Sequence, residues 1–292
     1  IIIVGSFLDR FPPDRLGELR RSGVAVRVIA DPSTVTMAEE TVSEQIPCAG
    51  KRVLVAGNGE LVGIAGSIFE ETEELVVVAS EGRTIDALGR CEEASSRCDA
   101  VYLGSMDDRR SLGSVLERHR PEVVFVDLAL QVRAISNPIE GYLRTVLFPV
   151  ERLASSVLRV SGTHLVAVNR NYDSGVVELK DAGSSFEIAL RDIFRHEPDR
   201  LTILRLEHRS APVRWRTLLC RLIEVGGGIY RAAARSEGKD PAVEKVGEPF
   251  PLPETGTLFI ELTRYLDGGD THRMAEILRE MAGALKVEEH GY

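Results

Sequence analysis

The sequence predicts an α/β protein built on a doubly wound parallel sheet, and two observations carry that reading. Eight short runs, at 1–4, 24–29, 52–56, 75–79, 100–103, 123–126, 165–168 and 201–204, are mostly apolar on consecutive positions and rich in Val, Ile and Leu. A strand buried on both faces reads this way, and parallel sheets are covered on both faces. Between most of these runs lie stretches with helical spacing, and strand alternating with helix is the pattern of a doubly wound sheet.

Taken in order, the runs at 1–4 and 24–29 flank a helix expected over 15–21. With the polar stretch that follows, they make a partial N-terminal α/β segment over 1–49. Residues 50–208 form the main α/β core. Within it, 107–119 opens on Asp107, Asp108 and Arg109 and places Leu112, Val115 and Leu116 on one helical face. A longer helix over 139–158 is entered after Asn137-Pro138. After Ser210 the alternation is expected to fail, because Gly226-Gly227-Gly228 and the prolines at 249, 251 and 253 punctuate loops. The segment 218–225 is apolar enough for a helix against the sheet. Residues 258–285 read as two short helices split at Asp267-Gly268-Gly269-Asp270, so 209–292 is a divergent C-terminal part with a short helical tail.

Composition bounds the function. The 292 residues are 43% hydrophobic and 28% charged, enough to bury a core. A net charge of −9 argues against a dedicated nucleic-acid binder, which must neutralise phosphates. Cys48, Cys91, Cys98 and Cys220 lack metal-type spacing, and no histidine pair has ligand spacing, so no metal is expected and the thiols are expected to be reduced. No apolar run approaches the roughly 20 residues of a membrane helix. The expected location is cytoplasmic, with an anchor upstream of Ile1 left open.

The most informative segment runs from Lys51 to Gly63. A buried strand enters a glycine turn at Gly57-Asn58-Gly59, and a helix carrying Gly63 follows. This is where a dinucleotide fold sets its pyrophosphate, against free N–H groups at a helix N-terminus, with glycines giving clearance for the approach. The fold is thus of the Rossmann-like, NAD(P)-binding type. Glu60, however, places a carboxylate at the start of that helix, where it repels a pyrophosphate. Glu81, just past the next strand, is a candidate for holding ribose hydroxyls, with a solvated acid at a helix N-terminus as the alternative.

The order of segments resembles the capsular-polysaccharide type of nucleotide-sugar 4,6-dehydratase, within the extended short-chain dehydrogenase/reductase superfamily. Ala49-Gly50-Lys51-Arg52-Val53-Leu54-Val55 is similar to that family's entry to the cofactor strand, and 75–81 to its second strand, ending in Ser80-Glu81. His119-Arg120-Pro121-Glu122-Val123-Val124-Phe125 is similar to its fourth strand, and Asn137-Pro138-Ile139-Glu140 to its next helix entry. The resemblance covers about 1–208. It implies NAD or NADP at Gly57, Gly59, Gly63, Ser80, Glu81 and Asp108, a nucleotide sugar as ligand, and a homo-oligomer or a polysaccharide-pathway protein as partner.

The departures fall where the family does its chemistry. Its turn has Gly where this chain has Glu60, its strand-two Asp is Ala79, and the first acid of its Asp-x-x-Asp is Ser105. Its His-Ala-Ala-Ala-Tyr-Lys-His stretch reads Val126-Asp127-Leu128-Ala129-Leu130-Gln131-Val132. Its Ser-Thr-Asp-Lys reads Asn169-Arg170-Asn171-Tyr172, and its helical lysine aligns with Ser184 or Ser185. None of the six tyrosines has a lysine four residues on, the spacing that puts both side chains on one helical face. Two readings follow. In the preferred one the fold is kept and catalysis is lost, leaving a scaffolding or regulatory role in polysaccharide biosynthesis. Glu60 and Arg170 then fill the space that pyrophosphate and sugar need. In the alternative, an NAD-dependent dehydratase or epimerase works with Asp127, Asn169, Tyr172 and Lys180. A third, weaker reading is a nucleotide-binding module without turnover. Asp127 itself reads either as a cleft carboxylate or as a helix-capping structural acid. The arginines at 205, 209, 214, 216 and 221 around Trp215 read as a solvated face with one aromatic anchor, or as a nucleotide diphosphate site.

Overall fold

In the computed structural model, residues 2–4, 27–29, 47–80, 98–104, 106, 108–130, 138–170, 177–206, 215–225, 227–233, 242–247, 261–262, 264–265 and 271–289 are described. The chain parts into two compact units, Ile1–Gln45 and Ile46–Tyr292. In the first, β1 (Ile2–Val4) and β2 (Arg27–Ile29) pair in parallel. The helix expected over 15–21 lies outside the described residues.

In the second unit the apolar runs become one eight-stranded sheet. Its strands are β3 (Arg52–Gly57), β4 (Glu74–Ser80), β5 (Ala100–Gly104), β6 (Val123–Asp127), β7 (His164–Asn169), β8 (Leu201–Leu206), β9 (Gly228–Ala233) and β10 (Ala242–Gly247). Their order is β10-β9-β8-β7-β6-β3-β4-β5, and every pairing is parallel except β9–β10. The chain starts at the centre, winds out through β4 and β5, then returns through β6 to the other side. That reversal between β3 and β6 is the switch point of a doubly wound sheet.

Alternation within the strands explains why the runs are apolar throughout. Leu54 and Ala56 face one core with Val76, Val78, Val124 and Val126, whereas Val53 and Val55 face the other with Val77 and Phe125. The first face is covered by α2 (Arg109–His119), α3 (Pro138–Tyr142), α4 (Phe148–Arg159), α5 (Val177–Ile193) and α7 (Thr271–Glu289). The second is covered by α1 (Glu60–Ile68) and α6 (Trp215–Val225).

Two expectations are corrected. Alternation does not fail after Ser210, because α6 leads back into β9, which lies parallel to β8. Gly227 and Gly228 sit at the entry to β9, where Gly228 has φ +155 and a Cβ on it would meet the Tyr230 ring at 3.1 Å. The helix over 139–158 is interrupted by a π-helical turn at Leu143–Leu147, in which the Phe148 N–H reaches back to the Leu143 carbonyl. Pro149 has no N–H to give and its ring crowds the preceding turn, so a widened turn ahead of it relieves the clash. Of the two helices expected over 258–285, residues 261–262 and 264–265 are helical, the split at 267–270 lies outside the described residues, and α7 follows with Met274, Ile277, Leu278 and Met281 buried against the first face.

Candidate functional site

The glycine turn lies at the carboxyl end of β3, next to the carboxyl end of β6, where the register sets Gly57 opposite Asp127. Its shape is dictated by Asp127. Asn58 N–H and Gly59 N–H both donate to the Asp127 carbonyl, at 3.1 and 2.9 Å. The Asn58 side chain bonds the Ala129 backbone in both directions, 2.7 Å from its N–H and 3.1 Å to its carbonyl. A Cβ at Gly57, where φ is +132, would come within 2.0 Å of the Asp127 carbonyl oxygen. A Cβ at Gly59 would come within 2.1 Å of its carboxyl carbon. Both glycines are therefore required by the chain itself.

The Asp127 side chain is fully buried and lies over the turn. Its Oδ2 accepts the Leu61 N–H at 2.9 Å, so a residue 66 positions away caps the first turn of α1. No side chain of its own segment caps that helix. The N-terminus of a helix carries a partial positive charge and free N–H groups, and a carboxylate there is stabilised by both. Arg170, one residue past β7, closes the arrangement as a fork. Its Nε donates to Oδ1 at 2.6 Å and its Nη2 to Oδ2 at 2.7 Å. The guanidinium also lies 5.6 Å from the centroid of Trp215, the first residue of α6. Burial works against the Arg170 charge, but the hydrogen bonds and charge of Asp127, with Glu60 beyond, outweigh it and raise its pKa. Trp215 is buried, and its Nε1 has no acceptor.

A second buried ion pair lies along the same edge of the sheet. Arg205, near the end of β8, forks onto Glu187 of α5 with two hydrogen bonds of 2.8 Å. Asn169, the last residue of β7 and paired in register with Arg205, donates to Glu187 at 3.1 Å and to the Gly183 carbonyl at 2.8 Å. Glu187 and Ser185 are wholly buried. Ser185 donates to the Asp181 carbonyl of its own helix and to the Leu278 carbonyl of α7, at 2.9 and 3.3 Å. Where the resembled family places a helical lysine, this chain has tight helix packing.

The structure thus brings Asp127, Gly57 and Gly59 together with Arg170, and turns Asn169 away into α5. Gly63 lies within α1, half-buried. Ser80 ends β4. Asp108 caps α2, its Oδ1 accepting the Arg110 and Ser111 N–H groups at 3.0 and 3.2 Å. The Ser111 hydroxyl, followed by these backbone bonds, holds the Asp108 carboxyl below its ordinary pKa. Tyr172 and Glu81 lie outside the described residues, as does the side chain of Lys180, whose backbone is in the first turn of α5. Arg205 does not belong to a solvated arginine face, because it is buried with Glu187. His119 is largely buried as well. Its side chain is 9% exposed, with Nδ1 2.7 Å from Glu74 and Nε2 2.8 Å from the Tyr102 hydroxyl. Reading along the chain missed Glu187. Its only signal is an acid at a position where α5 should be apolar.

The residues at the turn do not fit a dinucleotide pyrophosphate. The helix N–H group that a phosphate needs is held by Asp127, and the clearance over Gly59 contains its carboxylate. Among the described residues no group of three or more His, Cys, Asp and Glu is placed to hold a metal ion. Nor is any described helix long and apolar enough to cross a membrane.

No family model matches the chain, and no curated protein matches it. A short-chain dehydrogenase from Mycobacterium smegmatis is similar in structure over 67% of this chain and 95% of its own, with a TM-score of 0.48 and 11% identity. A UDP-glucose 4-epimerase from Thermotoga maritima, solved with UDP-glucose, is similar over 53% of this chain and 55% of its own, with a TM-score of 0.42 and 17% identity. The dTDP-glucose 4,6-dehydratase from Bacillus anthracis, in complex with NAD, is similar over 53% and 54%, with a TM-score of 0.40 and 11% identity. The match spans about half the length of the epimerase and the dehydratase. At these identities and scores the likenesses carry no argument about activity. The strand order by itself makes the chain a doubly wound, Rossmann-like α/β protein, and solved structures similar to it include short-chain dehydrogenases and nucleotide-sugar epimerases.

Proposed function

We propose that this chain is a short-chain dehydrogenase/reductase-type protein of the nucleotide-sugar dehydratase and epimerase branch that has kept the fold and given up the dinucleotide. It serves polysaccharide biosynthesis as a scaffold or regulator without turnover. The observation that carries the reading is the Asp127 carboxylate, which caps α1 from across the sheet and is neutralised by Arg170. A pyrophosphate and Asp127 compete for the same N–H group and the same cation. Entry of the cofactor requires a buried ion pair to be broken, which typically costs about 3–5 kcal/mol when one partner is left unpaired. In the resembled family an alanine stands at this position, and the change from Ala to Asp is what fills the turn. The network of Asn169, Glu187 and Arg205 supports the same reading, because it leaves packing where the family carries a catalytic helix position.

The test is a calorimetric titration of the native chain and of Asp127→Ala with NAD and with NADP. The native chain is expected to show no binding at millimolar cofactor. Asp127→Ala opens the turn and frees Arg170, and is expected to gain binding by about tenfold or more, the equivalent of about 1.4 kcal/mol. Micromolar binding of either cofactor to the native chain would sink the proposal.

A further inference from the structure

The ends of β3, β6 and β7 opposite Asp127 frame a groove of about 780 Å³. It is lined by Arg52, Arg120 and Arg159, by Glu117 and Glu122, and by the Val160-Ser161-Gly162 turn. A groove of this size suits a small organic ligand. Its walls are fixed by bonds that leave the three guanidiniums uncommitted. Glu122 takes the Arg52 N–H on Oε2 at 3.1 Å, and its own N–H donates to the Arg52 carbonyl at 2.8 Å. Arg120 ends α2 in the left-handed region with φ 43, its N–H on the Leu116 carbonyl. Arg159 ends α4, yet the carbonyls of that helix end are served by a different residue. Arg200 donates to Val157 at 3.1 Å, to Val160 at 2.7 Å and to Thr163 at 2.9 Å. Arg159 is therefore not consumed in capping its own helix.

Among the described residues, none of the guanidiniums of Arg52, Arg120 and Arg159 makes an ion pair or a hydrogen bond. The Nε of Arg52 is shielded from solvent and has no acceptor. A buried donor without a partner is costly. Glu117 and Glu122 share the groove without pairing with the three arginines. The groove thus presents three planar cations, suited to the oxygens of a phosphate, beside two acceptor-only carboxylates, suited to hydroxyl donors. Its net positive charge favours a ligand with a dianionic group over a zwitterion.

We propose that this groove binds a small phosphorylated sugar or polyol, with Arg52, Arg120 and Arg159 holding the phosphate and Glu117 and Glu122 accepting hydroxyls. The site is at the opposite end of the strands from the glycine turn and does not depend on whether the turn accepts a cofactor.

The experiment is calorimetric titration of the full chain with glucose 6-phosphate, inorganic phosphate and glucose. Glucose 6-phosphate is expected to bind, inorganic phosphate to bind at least about tenfold more weakly, and glucose not at all. Arg120→Ala and Arg159→Ala change exposed side chains, so the fold is retained, and each is expected to weaken glucose 6-phosphate by about tenfold. Arg110→Ala, on an exposed arginine at the other end of α2, is expected to leave it unchanged. Absence of binding at millimolar glucose 6-phosphate overturns the proposal. So does inorganic phosphate binding as tightly, or an unchanged affinity in both groove variants.

Discussion

At the scale of single residues, burial decides which groups do chemistry and which hold the molecule together. His164 opens β7 with its Nε2 2.8 Å from the Thr202 hydroxyl. Burial, followed by the nearby charges of Lys51 and Arg200, pushes its pKa down from 6.5 to about 4. The unfolded chain takes up a proton below pH 6.5 that the folded chain refuses until about pH 4, so this residue's contribution is whole above pH 6.5 and is lost as pH falls through that window. His164→Gln keeps a hydrogen-bonding partner for Thr202 and removes the proton uptake. Between about pH 7.5 and about pH 5, urea unfolding should show the native chain losing about 2 kcal/mol more than the variant. Parallel losses in the two proteins would refute the assignment. The Cys48 thiol illustrates the same physics, since burial pushes its pKa up to about 12 and keeps it unreactive.

At the scale of elements, local signals decide where helices begin, and distant ones decide what covers their ends. Asp108 caps α2 from within its own segment, and the Asp-Asp-Arg opening made that start readable. Asp108→Ala removes acceptors for two backbone N–H groups and should lower the melting temperature by roughly 2–4 °C. Asp108→Asn should retain most of that stability, and a thermal melt in which the two variants behave alike would count against the cap. At its other end α2 is held by His119, tied to β4 through Glu74 and to β5 through Tyr102. The start of α1 was equally readable as the place where the turn ends. Its cap was not, because Asp127 arrives from 66 residues away.

At the scale of the whole molecule, the carboxyl edge of the sheet is closed by two buried ion pairs, Asp127 with Arg170 and Glu187 with Arg205. Each ties different parts of the wound sheet, the first joining β6 and β7 to α1, the second joining β7 and β8 to α5. Glu187→Ala removes the buried carboxylate onto which Arg205 forks, at a cost of about 3–5 kcal/mol. The paired replacement Glu187→Leu with Arg205→Met removes both charges and should recover most of that loss in urea unfolding. If the double variant is no more stable than the single one, the pair is not the source of the effect.

What the sequence determined by itself is the set of parallel strands and the place of the turn. Consecutive Val, Ile and Leu are a local consequence of burial on both faces, and glycines mark a backbone that must be approached closely. Both signals are carried within a dozen residues. The tertiary structure alone decided what approaches. Gly57 and Gly59 read as clearance for a phosphate, and they give clearance to Asp127. Asp127 and Arg170 are 43 residues apart and meet only because β6 and β7 are neighbours. The extension of the sheet through β9 and β10 was hidden for a related reason. Its glycines look like loop punctuation until Gly228 is seen in register with Thr202 of β8. Periodicity is written along the chain, whereas the partner of a charge or of a strand edge is set by strand order, which no local window contains.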